Sequence, residues 1–246
     1  MIKFFRKIRQ NLLMENKTGK YFKYAIGEIV LVVIGIIIAL QINNWNDSRK
    51  DQKQAKTYLK GIVQDLKIDT LAFNKHINNY KELIRKKKLV LIPTDYSKLS
   101  VDTLAFFFEN GVSSYKISDQ TYQKLKNLGV TNLTVNPELT ERVNFYYGKT
   151  NDLWDVYRNW DSESTTKEEF FWRLEQDNIE MQLKPYALVQ DQKERKERLI
   201  ELIKSPKGRN YLKFEMERNT RILGFLEETL ETTKMLLIDI QKEVGE

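Results

Sequence analysis

The sequence of 246 residues contains no cysteine and only one histidine, His76. Without thiols the chain forms no disulfide, and thiolate catalysis and thiolate metal sites are excluded. One histidine excludes a multi-histidine metal centre, and we interpret His76 as a packed side chain rather than a catalytic one. The ten glycines are scattered and form no phosphate-binding loop. The sequence therefore predicts a protein that is not an enzyme and holds no metal or cofactor.

The net charge of +7 is concentrated at one end of the chain. Residues 1–23 contain seven lysines and arginines against one acid, Glu15, which gives this segment a charge of +6 and leaves +1 for the rest. A nearly neutral domain lacks the basic surface that nucleic-acid binding requires. We therefore expect no nucleic-acid partner.

One long hydrophobic run stands out in this polar sequence. No polar side chain occurs between Ile29 and Leu40, and a helix from Tyr24 to Trp45 would be about 32 Å long, enough to cross a bilayer. Its aromatic ends are typical anchors at the membrane interface. A buried core helix is the first alternative, which the apolar character of all faces disfavours. A cleaved signal peptide is the second, which the long preceding segment and the lack of small residues at cleavage spacing disfavour.

The flanking charges predict the orientation of this span. The basic tail should stay cytoplasmic, which places the C-terminal part outside, although five basic residues between 49 and 60 oppose this assignment. Residues 2–13 separate an apolar from a basic helical face, which is typical of a helix on anionic lipid headgroups, with a disordered tail as the alternative. The predicted regions are a cytoplasmic tail (1–23), a transmembrane helix (24–45) and an extracytoplasmic bundle (46–246).

The N-terminal fifty residues resemble the opening of a known family. The matching segments are FFRKIR, GKYFKY and GEIVLVVIGIIIALQINNW, and weaker landmarks are Tyr122-x-x-Leu125-x-x-x-Gly129 and Phe145-Tyr146-Tyr147. They are similar to uncharacterised, single-span bacterial membrane proteins that contain a domain of unknown function. The resemblance implies a bacterial inner-membrane location and a helical outer, periplasmic domain. The family has no assigned activity, so the resemblance implies no catalytic residues.

Four positions within the span suggest packing or polar contacts. Glu28 lies about one turn inside the cytoplasmic edge, where it either meets a partner span or a proton-linked site, or extends to the interface beside Lys23. Gly35 and Ala39 form a small-x-x-x-small pair that lets another helix approach closely. Gln41 marks the polar outer end. We expect a protein partner or a homo-oligomer through this span.

Hydrophobic spacing predicts a helical chain after the span. A stalk helix over 49–92 should continue the transmembrane helix as far as Pro93. Shorter helices are predicted over 101–109, over 119–128 capped by Ser118, from Asn136-Pro137 to residue 160, over 167–183 and over 188–204, with a break at 161–166. A heptad pattern over 212–244 predicts coiled-coil packing against the stalk helix in antiparallel orientation, with Asn219 and Thr233 setting the register.

Aromatic residues are concentrated between positions 145 and 172. Tyr147, Trp154, Tyr157 and Trp160 can share one side of a helix, where they would form a pocket for an apolar or sugar-like ligand, or a partner surface. The alternative is that these side chains fill the core of the bundle, because amphipathic aromatic residues bury a large area there.

These observations predict an all-α protein with one transmembrane helix, a stalk helix and an extracytoplasmic bundle. The first functional hypothesis is a non-enzymatic scaffold or accessory protein of the cell envelope, because the chain offers packing surfaces and lacks catalytic signatures. The second is a ligand-sensing helical bundle. The third is a hydrolase with paired carboxylates; we interpret pairs such as Glu168-Glu169 as surface charges, because the sequence shows no pocket that would shift their pKa values.

Overall fold

The computed structural model describes residues 18–245 apart from 93, 109, 110, 131, 132, 135 and 177. The regular elements in this part of the chain are all helical, which confirms the all-α fold class: α1 (Thr18–Leu91), α2 (Val101–Phe106), α3 (Gln120–Asn127), α4 (Pro137–Phe145), α5 (Asn151–Arg173), α6 (Gln192–Lys204) and α7 (Pro206–Val244). A 3₁₀ turn covers Tyr96–Lys98, and a π-helical turn, Tyr146–Thr150, joins α4 to α5. The chain forms two compact units that meet at Ala55. The helix predicted over 2–13 lies outside the described residues.

Helix α1 is unbroken over 74 residues, so the predicted continuation of the apolar span into a long helix is confirmed. It ends at Leu91, two residues before Pro93, because proline disfavours helical backbone in the residue before it. In the first unit the apolar side chains point outward on all sides, with Ile29 63% exposed and Trp45 66%. By length and composition, this helix can cross a membrane.

The second unit is built on three long helical segments: residues 56–91 of α1, the continuous α4–α5 segment, and α7. Helix α7 runs antiparallel to α1. Lys81 Nζ lies 2.7 Å from Glu227 Oε1, and farther along α1 the guanidinium of Arg209 donates to the backbone oxygen of Leu91 at 3.0 Å. The predicted antiparallel partnership of these two helices is therefore confirmed.

The α4–α5 segment runs parallel to α1 and corrects two predicted boundaries. Helix α5 continues through 161–166 and ends at Arg173, whereas we predicted a break there and a further helix over 167–183. Asp161 and Thr165 do not interrupt the helix because their side chains point inward and bind Arg218 of α7. The described residues between 174 and 191 form turns and irregular structure instead.

Two apolar clusters fill the second unit. The larger lies between the three long segments and includes fully buried Ile62, Leu66, Phe73, Val143 and Leu226. The smaller joins α2, α6 and the beginning of α7 through Leu104, Phe108, Leu199 and Leu212. Burial of this much apolar surface is the main stabilising contribution to the bundle.

Residues 111–119, here named the strap, have no regular secondary structure but contact both α1 and α5. Backbone groups that are buried outside helices need hydrogen-bond partners. Side chains provide them: the backbone N–H of Ser118 donates to Asp69, and Trp154 Nε1 donates to the backbone oxygen of Tyr115 at 2.9 Å. The position of the strap therefore depends on buried polar side chains of the long helices.

Local capping signals were predicted with mixed success. Asn136 caps α4 by accepting from the backbone N–H of Glu138, as predicted. Gly129 ends α3 with a φ of +68°, a left-handed conformation that glycine adopts without strain. The predicted cap Ser118 is wrong, because α3 begins at Gln120 and its N-terminal turn is bound by a side chain of α1 instead.

Candidate functional site

The strap is held by a buried carboxylate, Asp69 of α1. Asp69 Oδ1 accepts the backbone N–H of Ser118 at 2.8 Å and the hydroxyl of Tyr115, and Oδ2 accepts the hydroxyl of Tyr146 at 2.8 Å. Burial raises the pKa of Asp69, and these three hydrogen bonds counteract the increase. Each of these donors is neutral and belongs to the strap or to the π-helical turn.

Asp65 lies one helical turn before Asp69 and extends the same group, here named the strap cluster (Asp65, Asp69, Tyr115, Ser118, Tyr146). Asp65 Oδ2 accepts the backbone N–H of Thr121 at 3.0 Å, and Oδ1 accepts the hydroxyl of Ser118 at 3.3 Å. Asp119 is the N-terminal flanking residue of α3, but its own side chain makes no capping hydrogen bond. A carboxylate of α1 therefore caps α3, which attaches both the strap and this helix to the stalk.

The single histidine lies beside this cluster. The His76 ring is half-buried, and its centroid is 5.9 Å from that of the Tyr115 ring. Burial, followed by the charge of Lys75, lowers the pKa of His76, which favours the neutral imidazole. The packed arrangement agrees with the predicted one.

A second buried polar group surrounds Arg218 of α7, which is fully buried. Its Nη1 donates to the carboxylate of Asp161 and, at 2.7 Å, to Thr165 Oγ1, while Nη2 donates to Glu168 Oε2 at 2.5 Å. Tyr80 of α1 donates its hydroxyl to the other oxygen of Asp161 at 2.5 Å. Arg218 therefore binds three side chains on the buried face of α5.

Lys87 of α1 and Glu215 of α7 complete this group and are also fully buried. Lys87 Nζ lies 2.6 Å from Glu215 Oε2 and donates to the backbone oxygen of Phe107 at 2.5 Å. Glu215 Oε1 is 3.9 Å from the guanidinium of Arg218. We name the five charged residues Lys87, Asp161, Glu168, Glu215 and Arg218 the ionic cluster; it connects all three long helical segments.

The ionic cluster contains three carboxyl groups but only two basic groups. If all were ionised, one negative charge would be buried without a partner, which is costly. Burial raises the pKa of Glu168 to about 8 and that of Glu215 to about 7, although Arg218 and Lys87 counteract both increases. The two carboxyl groups also interact with each other, so they titrate as a pair. Both raised pKa values favour a protonated carboxyl group in the cluster at neutral pH, and burial also lowers the pKa of Lys87.

A cavity of ≈ 330 Å³ opens beside the ionic cluster, between α5 and the first turns of α7. Its lining combines aromatic, charged and small side chains: Trp160, Glu163, Ser164, Lys167, Glu168, Phe171, Tyr211 and Phe214. Glu168 belongs both to the cavity wall and to the ionic cluster, where it is only 6% exposed. This arrangement can bind a small ligand against aromatic rings and a buried acid.

The four aromatic residues of the predicted patch are divided between the core and its edge. Trp154 is fully buried, and its ring stacks on that of Phe225 with a centroid distance of 5.9 Å. Tyr147 is also buried, whereas Tyr157 and Trp160 pack partly buried against the same core. The core alternative thus describes Tyr147 and Trp154. Trp160 alone of the four lines the cavity beside Glu168.

The small residues of the span lie on an uncovered surface. Gly35 and Ala39 are exposed, and a Cβ atom added to Gly35 would lie in open space. Glu28 is partly exposed, Gln41 and Trp45 are exposed, and the side chain of Tyr24 lies outside the described residues. Among the described residues, the Gly35–Ala39 face is therefore accessible to lipid or to another helix.

A family model matches residues 28–176, more than half of the chain, and is described as a family of unknown function (DUF6090). The chain belongs to DUF6090. No curated protein and no solved structure matches it. The DUF6090 segment extends from the span to just after α5 and so includes Lys87, Asp161 and Glu168. Helix α7, which supplies Glu215 and Arg218, follows the matched segment.

The sequence interpretation missed the ionic cluster of this DUF6090 chain. Glu169 is exposed, but Glu168 is buried, so the interpretation of the pair as surface charges is wrong for Glu168. A local signal existed: Trp154, Asp161, Thr165 and Glu168 are spaced by seven, four and three residues, which places them on one helical face. Charged residues in line with a buried tryptophan indicate a buried ion pair rather than a solvated surface.

Proposed function

We propose that the protein is a membrane-anchored, non-enzymatic interaction protein of the bacterial cell envelope, acting as a scaffold or accessory subunit. The continuity of α1 is the observation that carries this proposal. One unbroken helix of 74 residues contains the exposed apolar span and also forms a wall of the bundle. A bundle joined to its anchor by a helix without an intervening loop is suited to presenting a surface at a membrane.

The engagement of the buried acids supports a non-enzymatic role. Asp65 and Asp69 bind backbone and hydroxyl donors of the strap and its neighbours, and Asp161 binds Arg218 and Tyr80. Carboxylates that are saturated by such structural partners are poorly placed to act on a substrate. Their contribution is to fix an irregular segment between helices.

The orientation we propose has a cytoplasmic N-terminus and a periplasmic bundle. Because the chain has no cysteine, single cysteines can report it directly. In spheroplasts, a membrane-impermeant maleimide should label Val189→Cys, at a site 96% exposed, and should label Asn11→Cys only after permeabilisation. The opposite pattern would contradict the orientation, and recovery of the chain as a freely soluble species would contradict the anchor.

The proposed partner contact uses the Gly35–Ala39 face. A photo-crosslinking amino acid at Ala39 should yield a defined product in membranes, whereas the same group at Ile37, on another side of the helix, should not. Gly35→Leu should abolish the product, since a bulky side chain prevents close helix approach. The mass of the product distinguishes a homodimer from another partner. Equal products from both positions, or persistence with Gly35→Leu, would contradict this contact.

The cavity favours a second candidate function, that of a ligand-sensing bundle. Occupancy beside Glu168 would change the contacts between α5 and α7, which the ionic cluster holds together. Filling the cavity through Ser164→Phe, at a buried lining residue, should imitate occupancy and change the yield of the Ala39 crosslink. Ser162→Phe, at an exposed residue of the same helix, is the matched control. Identical yields from both variants would contradict sensing.

A further inference from the structure

The cavity beside Glu168 has a chemical character that indicates its ligand. We propose that it binds a small organic cation, an alkylammonium group, between its aromatic walls and the part of Glu168 that lines it. The inference deepens the ligand-sensing candidate and rests on it. The walls, the charge of the cluster and the volume of the cavity each support it.

The walls provide aromatic faces. Trp160, Phe171, Tyr211 and Phe214 all line the cavity, and the rings of Phe171 and Tyr211 lie 5.0 Å apart. Aromatic faces attract ammonium groups through the ring quadrupole. The same wall already shows such a contact, because Lys207 Nζ lies 4.7 Å from the ring centroid of Phe171.

The charge balance favours a cation over an anion. The groups around Glu168 are Lys87 from α1, Glu163 and Lys167 from α5, and Tyr211, Glu215 and Arg218 from α7, and Arg218 also binds Asp161, which accepts from Tyr80. Glu163 and Lys167 are exposed and opposite in charge. Counting Glu168 itself, the remaining carboxyl groups are Asp161, Glu168 and Glu215, one more than the two buried basic groups, so a ligand cation neutralises the cluster while an anion would add to its excess.

The volume limits the size of the ligand. At ≈ 330 Å³ the cavity is at the lower end of ordinary small-molecule sites. It accommodates an ammonium group with a few carbon atoms in contact with the rings, on the side of the cavity wall that Glu168 forms. Compact alkylammonium ions such as choline have this size and combine apolar surface with a permanent charge.

Binding of a cation should be linked to the loss of a proton. Burial raises the pKa of Glu168 to about 8, so the carboxylate that attracts the ligand is a minor species at pH 6. Affinity should therefore rise with pH by up to about tenfold per pH unit below pH 7 and level off above pH 9. A neutral ligand in the same cavity would not show this dependence.

The test compares choline with its neutral analogue 3,3-dimethyl-1-butanol. The full chain is held in nanodiscs of phosphatidylglycerol, a lipid whose headgroup has no ammonium group. Binding is measured at pH 8.5 by titration calorimetry. We expect choline to bind at least about tenfold more tightly than the neutral alcohol. Equal affinities for the two probes, or no binding of choline, would overturn the proposal.

A pair of adjacent variants separates the site from the fold. Glu168→Gln should remove the preference for choline and its pH dependence, whereas Glu169→Gln, at the exposed neighbour, should keep both. Phe214→Ala removes a half-exposed wall residue and should weaken choline several-fold, while Phe170→Ala, exposed and outside the lining, should not. If Glu168→Gln binds choline as tightly as the native chain does, the proposal is overturned. If Glu168→Gln does not fold, Phe214→Ala tests the cavity instead.

One further comparison assigns the role of the cation. A chain that binds choline without any change in the Ala39 crosslink retains the site but contradicts sensing, so the two proposals fail separately.

Discussion

The strap cluster and the ionic cluster are both buried in one helical bundle, yet they satisfy their carboxylates in different ways. Asp69 is surrounded by neutral donors, two hydroxyl groups and one backbone N–H. Glu168 and Glu215 are paired with Arg218 and Lys87, whose two charges do not balance the three carboxyl groups of the cluster. The strap cluster is held together by hydrogen bonds from neutral donors. The ionic cluster is held together by ion pairs in which acidic groups outnumber basic groups.

The comparison shows that burial of an acid does not by itself indicate a binding site. Asp69 is more buried than Glu168, but its partners are parts of the fold and it lines no part of the cavity beside α7. Glu168 combines an excess of negative charge with access to that cavity. The combination allows it to exchange its proton for a ligand, and the two clusters should therefore respond differently to mutation and to pH.

The largest effect should come from Arg218→Ala. This change leaves Asp161 and Glu168 buried without their cation, so we expect the free energy of unfolding to fall by about 3–5 kcal/mol. Arg221→Ala, three residues along α7, removes an exposed arginine paired with Glu217 and should cost less than about 0.5 kcal/mol. Denaturant unfolding followed by circular dichroism measures both. Similar losses for the two variants would remove the distinction between buried and exposed pairs.

Asp69→Ala should have the next largest effect. It leaves the hydroxyl groups of Tyr115 and Tyr146 and the N–H of Ser118 without their acceptor, at a cost of about 2–3 kcal/mol. Asp152→Ala on the exposed face of α5 is the control and should change the free energy of unfolding by less than about 0.5 kcal/mol. A loss for Asp69→Ala as small as that of the control would show that the strap is held by its packing alone.

The long helices could be predicted from the sequence because periodic apolar residues determine them. The extent of α1, the antiparallel position of α7 and the cap at Asn136 all follow from local patterns. The continuation of α5 through 161–166 does not. Asp161 and Thr165 resemble a polar break until Arg218, more than fifty residues away, is known to bind them. Tertiary ion pairs override the local preference.

The candidate site was predictable only in part. Of the predicted aromatic patch, Trp160 lines the cavity, whereas Tyr147 and Trp154 are core residues. The acid of the site, Glu168, has a partner on α7, and its position relative to Glu215 depends on the packing of two helices. The sequence contains both acids, but only the folded structure shows that they are buried together with two basic groups.

The pH dependence of the free energy of unfolding should also distinguish the two clusters, and the expected effect is moderate. The folded pKa values of Glu168 and Glu215, about 8 and about 7, exceed the usual 4.5, so the folded state binds more protons between these limits. The resulting stability is complete below pH 4.5 and is lost as pH rises through 7 and 8. At pH 9, Glu168→Gln should stabilise the protein by about 1–2 kcal/mol and flatten the profile. Glu169→Gln should keep the native profile, and the same slope in both variants would contradict the assignment.

The smallest effect concerns the support of α3, where the strap cluster replaces a local cap. Asp65 accepts the N–H of Thr121 from a different helix, while Asp119, which flanks α3 in sequence, makes no capping bond. Asp65→Ala should therefore cost about 1 kcal/mol, the usual value of a helix cap, and Asp119→Ala only a few tenths. Hydrogen exchange of the α3 amides, compared in the two variants, locates the loss. Faster exchange with Asp119→Ala than with Asp65→Ala would mean that α3 is capped by its own flanking residue. Asp65 would then not support α3.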